Sequence, residues 1–169
     1  MSYTPHNWQT GEKITAALLN EMDLALRRAS SGIQAQHLGT QTLQATTQFT
    51  VYLSNVRFST GDGFRLEENS IVCKYDGVVF VDARLYCNTG FTVGDQVILS
   101  IGRNSDVVES YCHKMQSTGG ETVVSKSCMF PVSAGDLIKI KGQNITNANG
   151  TVGNTAGTYA NSVTVHYLA

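Results

Sequence analysis

The sequence predicts a mainly β protein, an antiparallel jelly-roll sandwich preceded by a short N-terminal α-helix. Three observations carry that expectation. From Phe49 onward the chain is a succession of strand-like runs, about eight of them, punctuated by Gly-Asp, Asp-Gly and Gly-Gly turns. No apolar period of helical length occurs among those runs, which excludes a parallel βαβ architecture and points to a two-sheet sandwich. Only the stretch before about Gly32 is rich in the good helix formers Ala, Leu, Met and Glu.

Thr10 to about Gly32 reads as the helix. Thr10 serves as N-cap, with Lys13 three residues on, or else Thr15 caps a later start. Ile14, Leu18, Met22, Ala25 and Ala29 recur at spacings of four, four, three and four, which makes one narrow apolar seam. Acids Glu21 and Asp23 precede Arg27 and Arg28, an order that suits the helix dipole, and Ser30-Ser31-Gly32 ends the run. So narrow a stripe is marginal alone in water. It packs either on its own β domain or on copies of itself as a short parallel bundle, where Ala25 and Ala29 would permit close approach.

Residues 33–48 (IQAQHLGTQTLQATTQ) carry little charge and much Gln and Thr. They read as an extended linker, or as a first strand lying over the body. The expected organisation is therefore 1–32 as N-terminal segment and helix, 33–48 as linker and 49–169 as sandwich. Within the sandwich, SIVCKY and VVFVDARLYC flank Asp76-Gly77 as two strands joined by a turn. In the second of these, Val79, Val81, Ala83, Leu85 and Cys87 suit the core. The alternate face, Val78, Phe80, Asp82, Arg84 and Tyr86, mixes aromatics with charge. Such a face fits a subunit interface or the partly covered outside of a monomer; Phe80 and Tyr86 are its interface candidates.

Twelve basic and thirteen acidic residues leave a net charge of −1 with the signs interspersed. Neither a nucleic-acid footprint nor a lipid-directed basic cluster is present, so no nucleic-acid or membrane partner is expected. No basic region followed by an apolar run suggests a secretory signal, and the apolar runs are too short to span a bilayer. Cys73, Cys87, Cys112 and Cys128 form no CxxC pattern and sit in strand-like runs. Buried, reduced thiols are expected, with a Cys73–Cys87 disulfide as the alternative. Zinc on Cys112 and His113 is disfavoured because strand neighbours point to opposite faces.

Signals for catalysis are few. His6, His37, His113 and His166 are scattered, and no nucleophile elbow surrounds Ser105. Glu67-Glu68 lies in a turn-like stretch with no opposing acid across a cleft. Asp62 and Asp76 could offer loop oxygens to calcium, and there is no phosphate-cradling glycine loop. The expectation is a non-enzyme with no cofactor, no resident metal and no catalytic residues.

Two resemblances add to this reading. YTPHNWQTGEKITAALLN resembles, through Tyr3, Thr4, Pro5, Trp8, Gly11, Glu12, Ile14, Thr15, Ala16, Leu19 and Asn20, a short N-terminal motif of tail-fibre and baseplate proteins of phages of Gram-positive bacteria. That resemblance implies an attachment and trimerisation element, with Pro5, Trp8, Gly11 and Glu12 contacting other virion proteins. A Trp beside a Pro and a Gly turn also makes a rigid aromatic plug, unless Trp8 folds back as a staple on its own helix. YDGVVFVDARLYC, FPVSAGDLIKIKGQN and SVTVHYL are similar to segments of the C1q/tumour-necrosis-factor type of jelly roll, which implies a homotrimer. A departure from that pattern is the polar GQNITNANGTVGNTAGTYAN insertion, of a kind that commonly carries recognition.

The expected function is thus a homotrimeric virion protein of a tail tip, baseplate or fibre, assembled in the bacterial cytoplasm and acting outside it. Its head would bind a host-surface saccharide or protein, with Tyr111, His113, Asn147, Asn149, Asn154 and Tyr159 as receptor-binding candidates. Ile14, Leu18, Met22, Ala25, Ala29, Phe80 and Tyr86 would form the oligomer interface. The competing expectation is a purely structural fibre, spacer or decoration protein with no ligand. Assembly in a reducing cytoplasm favours free thiols.

Overall fold

A computed structural model describes residues 9–10, 12–116, 122–145, 149–154 and 160–168. Among the described residues one helix, α1 (Ala16–Ala29), precedes thirteen strands: β1 (Gly32–His37), β2 (Gln41–Leu43), β3 (Gln48–Thr50), β4 (Asn55–Thr60), β5 (Phe64–Glu67), β6 (Ser70–Cys73), β7 (Gly77–Thr89), β8 (Gln96–Arg103), β9 (Asp106–Lys114), β10 (Thr122–Val132), β11 (Leu137–Asn144), β12 (Gly150–Val152) and β13 (Asn161–Leu168).

The helix takes the later of the two starts. Thr15 is extended and its Oγ1 accepts from Leu18 N at 3.3 Å. Ile14 therefore precedes the helix rather than opening its seam. Upstream, Glu12 closes a separate turn: its N–H donates to Gln9 O at 3.0 Å, and its carboxylate accepts from Gln9 N. Arg27 and Arg28 occupy the last turn, where the helix dipole favours positive charge. Asp23 pairs with Arg27 at 2.7 Å.

The strands form two antiparallel sheets. In the larger, β4, β1, β13, β7 and β10 lie side by side, and β12 followed by β2 joins the far end of β7. The smaller runs β5, β6, β11, β8, β9, with β3 also on β11. Residues 33–48 are not a linker. β1 inserts between β13 and β4, and its apolar Ile33 and Ala35 enter the core. With those two residues two apart on one pleat face, the segment is held by burial as well as by hydrogen bonds.

β7 alternates as its sequence predicts on the inner side: Val79, Val81, Ala83, Leu85 and Cys87 are all fully buried. Facing them across the sandwich are Leu99 and Ile101 of β8 and Ile138 and Ile140 of β11. The turn between β5 and β6 places Glu68 and Asn69 at φ 44° and 63°, the left-handed pair that a two-residue hairpin requires. Pro131 lies on β10, an edge strand, where a missing N–H does least harm.

All four cysteines are free thiols, so the Cys73–Cys87 bridge is not formed. Burial pushes both of those thiols up to about 12. Cys112 departs from the expected burial and is exposed. It sits on β9, which among the described residues pairs with β8 alone, and most of its residues on both faces are open.

Candidate binding surfaces

The base of the helix is tied to the head by one turn, Gly61-Asp62-Gly63. Ser31 Oγ accepts from the buried Gly63 N–H at 3.0 Å and donates to Arg27 O. Asp62 receives Lys74 Nζ, Tyr75 Oη at 2.8 Å and Arg27 Nη1 at 3.5 Å. The Lys74 and Tyr75 hydrogen bonds hold its carboxyl below the ordinary 3.8. Tyr167, stacked on Phe64 at 4.5 Å, donates its hydroxyl to Tyr75 O at 2.8 Å and accepts from Tyr75 N at 3.1 Å. Asp62, considered above for calcium, is thus occupied by cations of the chain itself, and Asp76 accepts from Ala134 N. No group of three or more His, Cys, Asp or Glu side chains is placed to hold a metal among the described residues.

Above that base the helix stands nearly free. None of its residues is buried, and its main packing partner among the strands is β13. Leu18, Met22 and Ala25 are half-buried, while Ala29 is exposed. Ile14, Leu19 and Leu26 are 61%, 52% and 68% exposed.

The outer face of the larger sheet is the second surface. Phe80 lies opposite Met129 on one side and His166 on the other, its ring 5.1 Å from the imidazole. Val78 sits between Leu168 and Pro131, and Phe58 stands exposed on β4 opposite Gln34. At the middle of the face, Asp82 accepts from Ser127 Oγ at 2.8 Å and Arg84 Nε at 3.2 Å, so its charge is answered locally. Tyr86 is not part of this surface: it is 3% exposed. The end of β7 that carries it is joined by β12 and the start of β13, with Gly153 N–H donating to Tyr86 O and Tyr86 N–H to Asn161 Oδ1.

A third apolar surface is the open edge where β9 of one sheet meets β10 of the other. Val107, Val108, Tyr111 and Val123 are exposed there, and Lys126 bridges to Glu109 at 3.5 Å. Tyr111 and His113 share a face of β9, their rings 6.3 Å apart. Of the remaining receptor candidates, Asn149 and Asn154 flank β12, while Asn147 and Tyr159 lie outside the described residues, as do Pro5, Trp8 and Gly11. His113 is separated from Asn149 by the row His113–Val97–Asn144–Ala45, three strand spacings or roughly 14 Å. The candidates therefore do not form one site.

One of them, Asn149, leads to a pocket that motif reading missed. Asn149 Oδ1 accepts from Ala45 N at 3.0 Å, and the segment it pins borders a cavity of ≈ 440 Å³ containing Phe49 and Tyr52. A run of Gln and Thr ahead of two isolated aromatics, Phe49 and Tyr52, was the available signal. A second cavity, ≈ 380 Å³, lies at the helix base among Asp62, Lys74, Arg65 and Phe64.

No protein-family model matches the chain, and no curated protein does. Solved structures match by fold. Murine APRIL, a tumour-necrosis-factor ligand, superposes with a TM-score of 0.61 at 9% identity, over 82% of this chain and 99% of that one. The globular domain of zebrafish complement 1qA protein superposes at 0.55 and 16% identity, over 82% and 96%. The sandwich is therefore a jelly roll of the C1q/tumour-necrosis-factor type.

Proposed function

We infer that this chain is a homotrimeric virion protein of a phage tail tip, baseplate or fibre. Its N-terminal segment attaches to the particle, its helix gathers three chains, and its head binds a host-surface receptor, a cell-wall saccharide. The observation that carries this reading is the helix itself. Its residues are at most half-buried on their own head, and Leu19 and Leu26 stay more than half exposed, so the element offers apolar surface to something outside the chain. The tail-fibre-like motif that leads into it supports reading that assembly as a virion.

The head supplies two further apolar surfaces of different composition, the Phe80–Met129 face and the β9/β10 edge. Unlike patches on one chain favour head-to-tail contacts, which form a ring where the rotation closes. A ring of three agrees with the jelly-roll type and sets the helices side by side on one axis.

The test is solution mass by light scattering, for the whole chain, for Met129→Asp, and after removal of residues 1–29. The cut stops short of Ser31 because that side chain belongs to the head. Met129 is 65% exposed, so its burial in a trimer would contribute about 1–2 kcal/mol per copy, and an unpaired carboxylate there would cost several more. We expect three chains for the whole protein and dissociation for Met129→Asp. Loss of particle incorporation on deletion would support the attachment role. A monomeric whole chain would overturn the reading, and incorporation surviving the deletion would overturn the attachment role.

A further inference from the structure

The cavity beside β2 is lined by uncharged aromatic, amide and hydroxyl side chains. Phe49 and Tyr52 supply aromatic surface, Gln41 and Gln44 amides, and Thr42 and Thr47 hydroxyls, with no charged side chain in the lining. Its ≈ 440 Å³ falls within the size range of small-molecule sites and suits one or two sugar rings. The cavity at the helix base is a poor rival, because Asp62 and Lys74 there neutralise each other.

The walls are fixed before any ligand arrives. The Gln41 amide bridges β2 to the next segment, donating to Thr50 O at 2.9 Å and accepting from Tyr52 N at 3.0 Å. Thr46, at φ 60°, donates its N–H to Asn144 O at 2.7 Å and accepts Gln143 Nε2 at 3.2 Å. Asn149 holds Ala45 from the insertion side. Walls ordered in advance reduce the entropy lost on binding. Against them, Tyr52 is 48% exposed yet braced edge-on by His37 at 5.6 Å. Among the described residues, the side chains of Gln44 and Thr42 make no hydrogen bond and remain available to hydroxyl groups.

Position agrees with chemistry. The helix base joins the head at the row Gly32–His166–Phe80, while β2 and β12 join β7 at Cys87. Seven residues of β7 separate these rows, roughly 23 Å. The pocket lies at the end of the sandwich away from the helix.

We propose that this pocket is the receptor subsite of the head and takes one or two residues of a neutral glycan. The aromatic surface stacks on sugar C–H faces, and Gln44 and Thr42 bond the hydroxyls. The assignment rests on the reading of the head as a saccharide-binding module. A phosphate- or carboxylate-bearing sugar is disfavoured because no cation lines the site.

The full-length chain is titrated by NMR with lactose, cellobiose, maltose and N,N′-diacetylchitobiose, and with digalacturonate as the acidic probe. Binding to purified Gram-positive cell walls is measured in parallel. At least one neutral probe should shift the amides of residues 40–52. Tyr52→Ala should weaken it about tenfold, whereas Tyr52→Phe, which keeps the ring, should retain it. Gln44→Ala, an exposed position that leaves the fold intact, should weaken it about threefold. Neutral-sugar binding that survives both Tyr52→Ala and Gln44→Ala would overturn this site and leave the saccharide reading standing. Preference for digalacturonate would overturn the ligand class. Wall binding without any neutral-probe binding would overturn the pocket alone, and the absence of both would overturn the pocket together with the saccharide reading.

Discussion

Gly63→Ala tests whether the helix is rigidly seated on the head. A Cβ at this buried glycine would lie 2.6 Å from Ser31 Cβ, 2.7 Å from Ser31 Oγ and 2.8 Å from Tyr167 Cε2. Ordinary carbon contacts are about 3.5–4.0 Å, so both neighbours must give by close to an ångström. Neither moves freely. Ser31 holds the Gly63 N–H and the Arg27 carbonyl, and Tyr167 is fixed by its stack on Phe64 and by two hydrogen bonds to Tyr75. Overpacking of this kind costs about 1–3 kcal/mol, and stretching the buried N–H bond adds about 1–2 more. A total near 3 kcal/mol corresponds to a drop in Tm of about 6–12 °C for a chain of this length. Calorimetry at one fixed protein concentration reads it, since an oligomer's Tm moves with concentration.

Ser31→Gly in the Gly63→Ala background removes two of the three clashes. The double variant should therefore melt higher than the sum of the two single losses predicts, by a coupling of about 1 kcal/mol or more. A Gly63→Ala protein melting within about 2 °C of the parent, or a strictly additive pair, would refute the clamp. The helix would then hang from a flexible joint rather than from a fixed seat.

Acid and thiol chemistry probe the same body. Asp62 and Asp136 are both held below 3.8, the first chiefly by Lys74 and the second by the Ser133 N–H, so each stabilises the fold fully above that value. Their contribution is lost as pH falls through the depressed values. An acid titration should show stability declining below pH 3.8, with Asp62→Asn flattening part of that limb; an unchanged limb would remove Asp62 from the account. Iodoacetamide at pH 8 should label the exposed Cys112 first and Cys128 more slowly, because burial and then Glu109 raise its thiol. Cys73 and Cys87 should react only on unfolding, and peptide mass spectrometry that finds Cys73 labelled as fast as Cys112 would contradict their burial.

Much of the head was legible because β7 obeys the two-residue period that burial imposes on a sheet. Val79 to Cys87 face the core, and the reversed set faces out. The same period misplaced Tyr86. Alternation says which face a residue points to, but not whether that face is open to solvent, and Tyr86 is 3% exposed. Cys112 failed for the converse reason: strand membership predicts burial only where a strand has neighbours, and β9 has one. β1 was readable as linker because Gln34, Gln36 and His37 dilute its two core residues. The pairing with β13, some 130 residues away, is a tertiary fact. At the helix, both caps were available to local reasoning, and the side chain of Thr15 decides between them.

The candidate site was less legible, for a different reason. The sequence offers sugar-binding groups at Tyr111 and His113 of β9 and at Asn147, Asn149, Asn154 and Tyr159 of the polar insertion. That segment contributes instead as a wall. Asn149 turns inward to hold Ala45, and β12 pairs with β2. The groups left facing solvent then belong to the stretch treated as linker. The polarity of the whole molecule follows from this inversion. β1 leaves the helix base at Gly32 and runs to His37, whose ring braces Tyr52. One strand thus fixes both the seat of the helix and the rim of the pocket. Because β1 is clamped on both sides by hydrogen-bonded partners, neither end can reorient without breaking the sheet. A head tethered through α1 therefore presents the Tyr52 pocket away from its tether as a consequence of strand direction, with no further device required.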